Sequence, residues 1–131
     1  MSAPPFETRR RGEGTEGWAR GTDPAHLDRL RRGEPEPSWE IDLHGFIAAE
    51  AREDLREALV EAHREGARCG LVVHGRGRHS AEGAVLREGL VEWLTAPPVG
   101  ALVLAFTPAR PADGGAGATY VLLRRRAARR S

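Results

Sequence analysis

Apolar positions in the middle of this chain follow two rhythms. From Phe46 to Glu65, the residues Ile47, Ala51, Leu55, Leu59 and Ala62 recur at near-helical spacing with charge on the opposite side. That pattern predicts an amphipathic helix ended by Gly66. A second helix is expected over about Ala81 to Leu94, with Val85, Leu86, Leu90, Val91 and Leu94 on one side. Ser80 would cap it, and Pro97 and Pro98 lie beyond its end. Between these segments stand short runs of strand character: Trp39–Leu43, Arg68–Val73, Ala101–Phe106 and Ala118–Leu123. Cys69-Gly70-Leu71-Val72-Val73 is too continuously apolar for a half-exposed strand and reads as a buried parallel one.

The element order is therefore β-α-β-α-β-β. Right-handed crossovers make the first three strands parallel, and the last returns antiparallel. The fold class expected is α/β, a two-layer mixed sheet with helices. Residues 1–37 are rich in glycine, proline and charge, and Phe6, Trp18, Leu27 and Leu30 are their only sizeable apolar side chains. A mostly disordered arm is expected there, since it offers little surface to offset its ordering entropy. The exception is a short helix near 24–32, with Asp23 as cap, Pro24 at its first position and Gly33 ending it. Residues 38–125 then form the domain, and 126–131 continue a basic tail suited to solvation or to salt-sensitive attraction to nucleic acid. The loop holding Pro108, Pro111, Gly114, Gly115 and Gly117 is expected to be flexible.

Composition narrows the setting. The formal net charge is +1, so no global field drives the protein onto nucleic acid or membrane. All 20 basic residues are arginine, which suits bidentate contacts to phosphate or reflects coding bias. A single cysteine, Cys69, in a buried strand implies no disulfide framework and a reducing compartment. No apolar run has the length of a signal peptide core or a membrane span, so a cytoplasmic protein without membrane contact is expected.

The candidate chemistry lies where two strands end. In Ile41-Asp42-Leu43-His44-Gly45, Asp42 and His44 are two apart and project from one face of a strand. An imidazole beside a carboxylate can do acid–base work on a phosphodiester, or the two can simply satisfy backbone groups at the strand end. After the second strand, His74-Gly75-Arg76-Gly77 leads into Arg78-His79-Ser80 and a helix. Close-approach glycines, two arginines and a helix N-terminus form a plausible phosphate cradle, although strand–glycine–helix turns need glycine for steric reasons alone.

Residues from about Leu27 to Arg125 resemble the small MutS-related, or Smr, domain. The hallmark Leu-Asp-Leu-His-Gly is matched by Ile41–Gly45 with one conservative change, and the Gly-x-Gly turn by Gly75-Arg76-Gly77. A Gly-Gly-x-Gly-Ala stretch is matched by Gly114-Gly115-Ala116-Gly117-Ala118, and Glu50-Ala51 falls where the family often has that pair. The resemblance implies a fold like the C-terminal domain of translation initiation factor 3. It also implies endonuclease activity, with RNA favoured, including messenger RNA on stalled or collided ribosomes, over DNA nicking. Asp42 and His44 would be the catalytic pair, with His74 or His79 the acid for the leaving oxygen. Gly75, Arg76, Gly77, Arg78, His79, Ser80, Gly115 and Gly117 would bind the backbone. No metal is obligatory for RNA, whereas DNA would call for a transient Mg²⁺ or Mn²⁺, and a monomer is expected. The competing readings are a nucleic-acid or ribosome-binding module that does not cut, and a small-molecule phosphate enzyme with the Gly114–Gly117 loop as lid.

Overall fold

A computed structural model describes residues 5–76 and 81–126, the side chains of 81–83 excepted. Six strands form one mixed sheet: β1 (Phe6–Arg11), β2 (Gly14–Ala19), β3 (Trp39–Asp42), β4 (Cys69–Val73), β5 (Val103–Pro108) and β6 (Ala118–Leu123). Three helices accompany them: α1 (Pro24–Arg31), α2 (Ala48–Arg64) and α3 (Ala81–Thr95). The strand order is β1-β2-β5-β6-β4-β3. β3 and β4 pair in parallel, and β6 lies antiparallel between β4 and β5. The two crossovers, through α2 and α3, thus run as the periodicity predicts, with β3, β4 and β5 pointing the same way.

Both faces of the sheet are covered. α2 and α3 bury Leu55, Leu59, Leu86, Leu90 and Leu94 against Val72, Phe106, Val121 and Leu123. On the other face α1 seats Leu27 and Leu30 against Leu71, Tyr120 and Leu122. This is why β6 is apolar at nearly every position: alternate residues serve opposite cores. α1 forms as its sequence signals suggest, with the Asp23 carboxylate accepting from the Ala25 N–H at 2.9 Å.

The N-terminal arm is a correction. Residues 6–19 form a hairpin instead of a mobile segment, and β2 extends the sheet by pairing Gly17 with Phe106 and Trp18 with Ala105. Its anchor is a charge, which apolar counting overlooks. Glu16 is fully buried, and its carboxylate accepts from Arg9 Nε at 2.6 Å, Arg31 Nη2 at 2.5 Å and Thr107 Oγ1 at 3.0 Å. Gly17 is required by contact, since a Cβ there would stand 2.6 Å from the Phe106 ring. The glycine-rich loop after β5 is likewise ordered, as two 3₁₀ turns over Pro111–Asp113 and Gly115–Gly117. The Tyr120 hydroxyl donates to Asp113 and accepts from Arg110 Nε, tying the loop to β6.

Candidate active site

The sheet edge at the carboxyl ends of β3, β4 and β5 collects three stretches of sequence. The β3–β4 ladder runs on past Asp42, with the Leu43 N–H donating to the Val73 carbonyl at 2.7 Å. Leu43 is buried while Asp42 and His44 are exposed, the alternation a strand imposes. Gly45 follows with φ +82°, turning the chain towards α2. The Glu50 carboxylate accepts from the Ile47 N–H at 3.4 Å at the start of that helix.

Asp42 and His44 meet at hydrogen-bond distance. Asp42 Oδ1 lies 2.7 Å from His44 Nδ1 and also accepts from the His44 backbone N–H at 3.0 Å. Partial burial works against the charge on Asp42, but these bonds from His44 outweigh it and hold the carboxyl below its ordinary range. An ionised carboxylate only accepts, so Nδ1 carries the proton of this bond and Nε2 is left as the basic nitrogen. With 71% of the His44 side chain exposed, that nitrogen is within reach of a large substrate.

His74 sits differently. It is 2% exposed, with Nδ1 at 2.7 Å from the Gly75 carbonyl and Nε2 at 3.0 Å from Thr119 Oγ1. Burial lowers its pKa, so the ring is neutral, with Nδ1–H donating to Gly75 and Nε2 accepting from the Thr119 hydroxyl. Both nitrogens are therefore engaged in holding the turn to β6. Thr119 is a site residue that the sequence does not signal, because it lies 45 residues away from its partner.

The glycine loop closes onto the same turn. The N–H groups of His74 and Gly75 both donate to the Gly117 carbonyl at 3.0 Å. Gly75 has φ +84°, and a Cβ there would lie 3.9 Å from the His44 Cβ, so the two histidine motifs are neighbours. Arg76 runs along the loop: positions for a Cβ on Gly115 and on Gly117 lie 3.5 and 3.4 Å from its side chain. Asp42, His44, Gly75, Arg76, Gly115 and Gly117 are thus brought together. Gly77, Arg78, His79 and Ser80, expected to complete the cradle, lie outside the described residues, as does most of the basic tail. Among the described residues, no three His, Cys, Asp or Glu side chains group closely enough to share a metal ion. Among them, too, no helix is long and apolar enough to cross a membrane.

Comparison with known proteins bears on the fold and the family. Over 103 residues the chain is 35% identical to ribosome rescue factor SmrB of Yersinia enterocolitica, covering 79% of this chain and 54% of that protein. The SmrB of Escherichia coli O157:H7 is 33% identical, with 79% and 52% covered. The chain spans about half the length of the curated relatives it matches. Its structure superimposes on YdaL, a stand-alone small MutS-related protein from Escherichia coli, with a TM-score of 0.70 and 29% identity. That match covers 95% of this chain and 88% of YdaL, so it takes in nearly the whole described fold. The Smr domain of Thermus thermophilus MutS2 matches with a TM-score of 0.56 and 35% identity, covering 65% of this chain and 96% of that domain. The Smr domain family matches residues 41–124, the stretch that carries all three motifs of the sheet edge, and the chain belongs to that family.

Proposed function

We propose that this protein is an endonuclease that cleaves RNA by metal-free transesterification, and that it acts on messenger RNA at the ribosome. The observation that carries the reading is the 2.7 Å contact between His44 Nδ1 and Asp42 Oδ1 on an exposed edge beside Arg76. Asp42 orients the ring, and His44 Nε2 removes the proton from a ribose 2′-hydroxyl. The 2′-oxygen bonds to the adjacent phosphorus, the P–O5′ bond breaks, and the products are a 2′,3′-cyclic phosphate and a 5′-hydroxyl. The 5′-oxygen takes its proton from solvent, which has open access to the site. Arg76 offsets the charge that grows on the phosphorane. His74 is assigned a positioning role, because its burial and two hydrogen bonds hold Gly75 beneath His44. The ribosomal setting rests on the relatives, which are named ribosome rescue factors.

A DNA strand lacks the 2′-hydroxyl, so its hydrolysis would use water and a Mg²⁺ or Mn²⁺ shared between Asp42 and phosphate. The test is to incubate end-labelled single-stranded RNA and the matching DNA with the protein, in EDTA and in Mn²⁺, beside an Asp42→Ala/His44→Ala double variant. RNA cut in EDTA to cyclic or 3′-phosphate ends by wild type alone is the expected result. Metal-dependent DNA nicking with inert RNA would replace transesterification by hydrolysis. Undiminished binding with no cutting, on free RNA and on stalled ribosomes alike, would leave a recognition module.

A further inference from the structure

The tip of the N-terminal hairpin lies at the same sheet edge as Asp42 and His44. β2 runs antiparallel to β5, which carries Gly14 to the far end of that strand, where a Cβ on Gly14 would stand 2.8 Å from the Pro108 ring. Between the hairpin tip and the loop after β5 is an open cleft of about 650 Å³. Arg11, Arg31, Arg76 and Arg110 line it, and Glu13 is the acid among its lining residues.

Two of the acids nearest these arginines, Glu16 and Asp113, are buried or engaged, and a third, the exposed Asp28, pairs with Arg31 Nη1 at 3.0 Å. The Glu16 side chain is 1% exposed, whereas those of Arg11 and Arg31, which approach its carboxylate at 3.8 and 2.5 Å, are 49% and 20% exposed. Asp113 is taken up by the Tyr120 hydroxyl and by Arg110 at 3.4 Å, and Arg110 remains 48% exposed. Guanidinium groups held by buried or engaged carboxylates present fixed donors to an anion outside. Among the described residues that line the cleft none is aromatic, so these residues offer charge and not a stacking surface for bases. Arg76 joins it to the candidate active site: it lines the cleft, lies along Gly115 and Gly117, and follows Gly75, which neighbours His44.

We propose that this cleft is a track for the sugar–phosphate backbone of a single strand flanking the scissile phosphate, with Arg11 and Arg110 holding phosphates beyond Arg76. A volume in the range of ordinary ligand pockets admits one or two nucleotides of a strand and excludes the body of a duplex. Recognition is by charge and is independent of sequence. The inference rests on the nucleic-acid reading above and adds the hairpin as a second binding element.

The test uses the full chain in a His44→Ala background, so that binding is measured without cutting. A fluorescent single-stranded RNA is titrated by anisotropy over a series of salt concentrations. Arg11→Gln is compared with Arg64→Gln, which removes an exposed arginine at the carboxyl end of α2, away from this edge. Arg11→Gln is expected to lower the salt slope by about 0.7, the value for one phosphate contact on a single strand, and to weaken binding several-fold at low salt. Arg11→Lys should restore most of the slope, and Arg64→Gln should leave it unchanged. Equal slopes and affinities for Arg11→Gln and Arg64→Gln, at unchanged melting temperature, would overturn the track. The endonuclease reading fails separately: a chain with intact His44 that binds RNA through Arg11 but cuts neither free nor ribosome-bound RNA would overturn the cutting and retain the track.

Discussion

Replacing Glu16 with glutamine removes the negative charge on which the hairpin, α1 and β5 converge. The carboxylate takes Arg9, Arg31 and Thr107 as donors, so the amide would leave guanidinium groups facing a neutral partner at the end of the sheet. Burial alone would raise the Glu16 pKa, but hydrogen bonds from Arg31, Arg9 and Thr107 overcome it and lower the value from 4.5 to about 2. A difference of that size corresponds to about 3 kcal/mol of stability at neutral pH. The loss from breaking a buried ion pair is of the same order, about 3–5 kcal/mol. Because the folded-state pKa is depressed, this contribution is complete above pH 4.5 and disappears as the pH falls towards 2. Glu16→Gln should therefore lower the melting temperature at pH 7 by about 10 °C in a domain of this size. Urea unfolding of both proteins down the pH scale should show the gap between them shrinking below pH 4.5, to less than half by about pH 3. Comparing the two proteins isolates Glu16 from the other acids, since Asp42 and Asp113 are also held below their ordinary range. A variant within about 2 °C of wild type, or a gap that stays constant with pH, would refute the assignment of Glu16 as the hairpin's anchor.

Gly70→Ala should destabilise the protein by about 1–3 kcal/mol through overpacking, because a Cβ at that site would stand 1.9 Å from the Trp39 ring, which must leave β4. Thermal unfolding checks this, and a wild-type melting temperature would show that Trp39 does not pack there. Cys69 is 1% exposed, and its thiol is pushed up to about 12 by burial and, to a smaller extent, by the charge on Asp113. It should resist alkylation in the native state at pH 8 and react fully in denaturant; complete native modification within minutes would contradict its placement. Gly75→Ala should cost about 1 kcal/mol or more of stability, since φ +84° suits glycine, and should lower cleavage by shifting the turn beneath His44. Single-turnover cleavage at the wild-type rate would show that the turn does not position the pair.

How much the sequence disclosed depended on how local each cause was. Period-two alternation put Asp42 and His44 on one face and Leu43 on the other, and the parallel β3–β4 register keeps that relation in three dimensions. α1 announced itself through Asp23, Pro24 and Gly33, all within one short segment. His74 was not readable in the same way, because its burial is completed by Thr119 on β6 and by the Gly117 carbonyl. The hairpin was hidden because Glu16 looks like one more surface charge among arginines until Arg31 and Thr107 are brought to it. The loop after β5 looked mobile from its glycines and prolines, but Tyr120, seven residues beyond Asp113, fixes it. Trp39 and Gly70 make the same point. A glycine in an apolar strand shows that a neighbour comes close without saying which one.

The claim that Asp42 and His44 act as one catalytic unit is tested most directly by single-turnover RNA cleavage in EDTA by wild type, Asp42→Ala, His44→Ala and the double variant. His44→Ala should lose about 10²- to 10⁴-fold in rate, the usual contribution of a general base. Its melting temperature should be nearly unchanged, since the ring is mostly exposed. The double variant should be no slower than His44→Ala, because residues that work as a unit are not additive. Losses that multiply in the double variant, or His44→Ala cutting at the wild-type rate, would contradict the account.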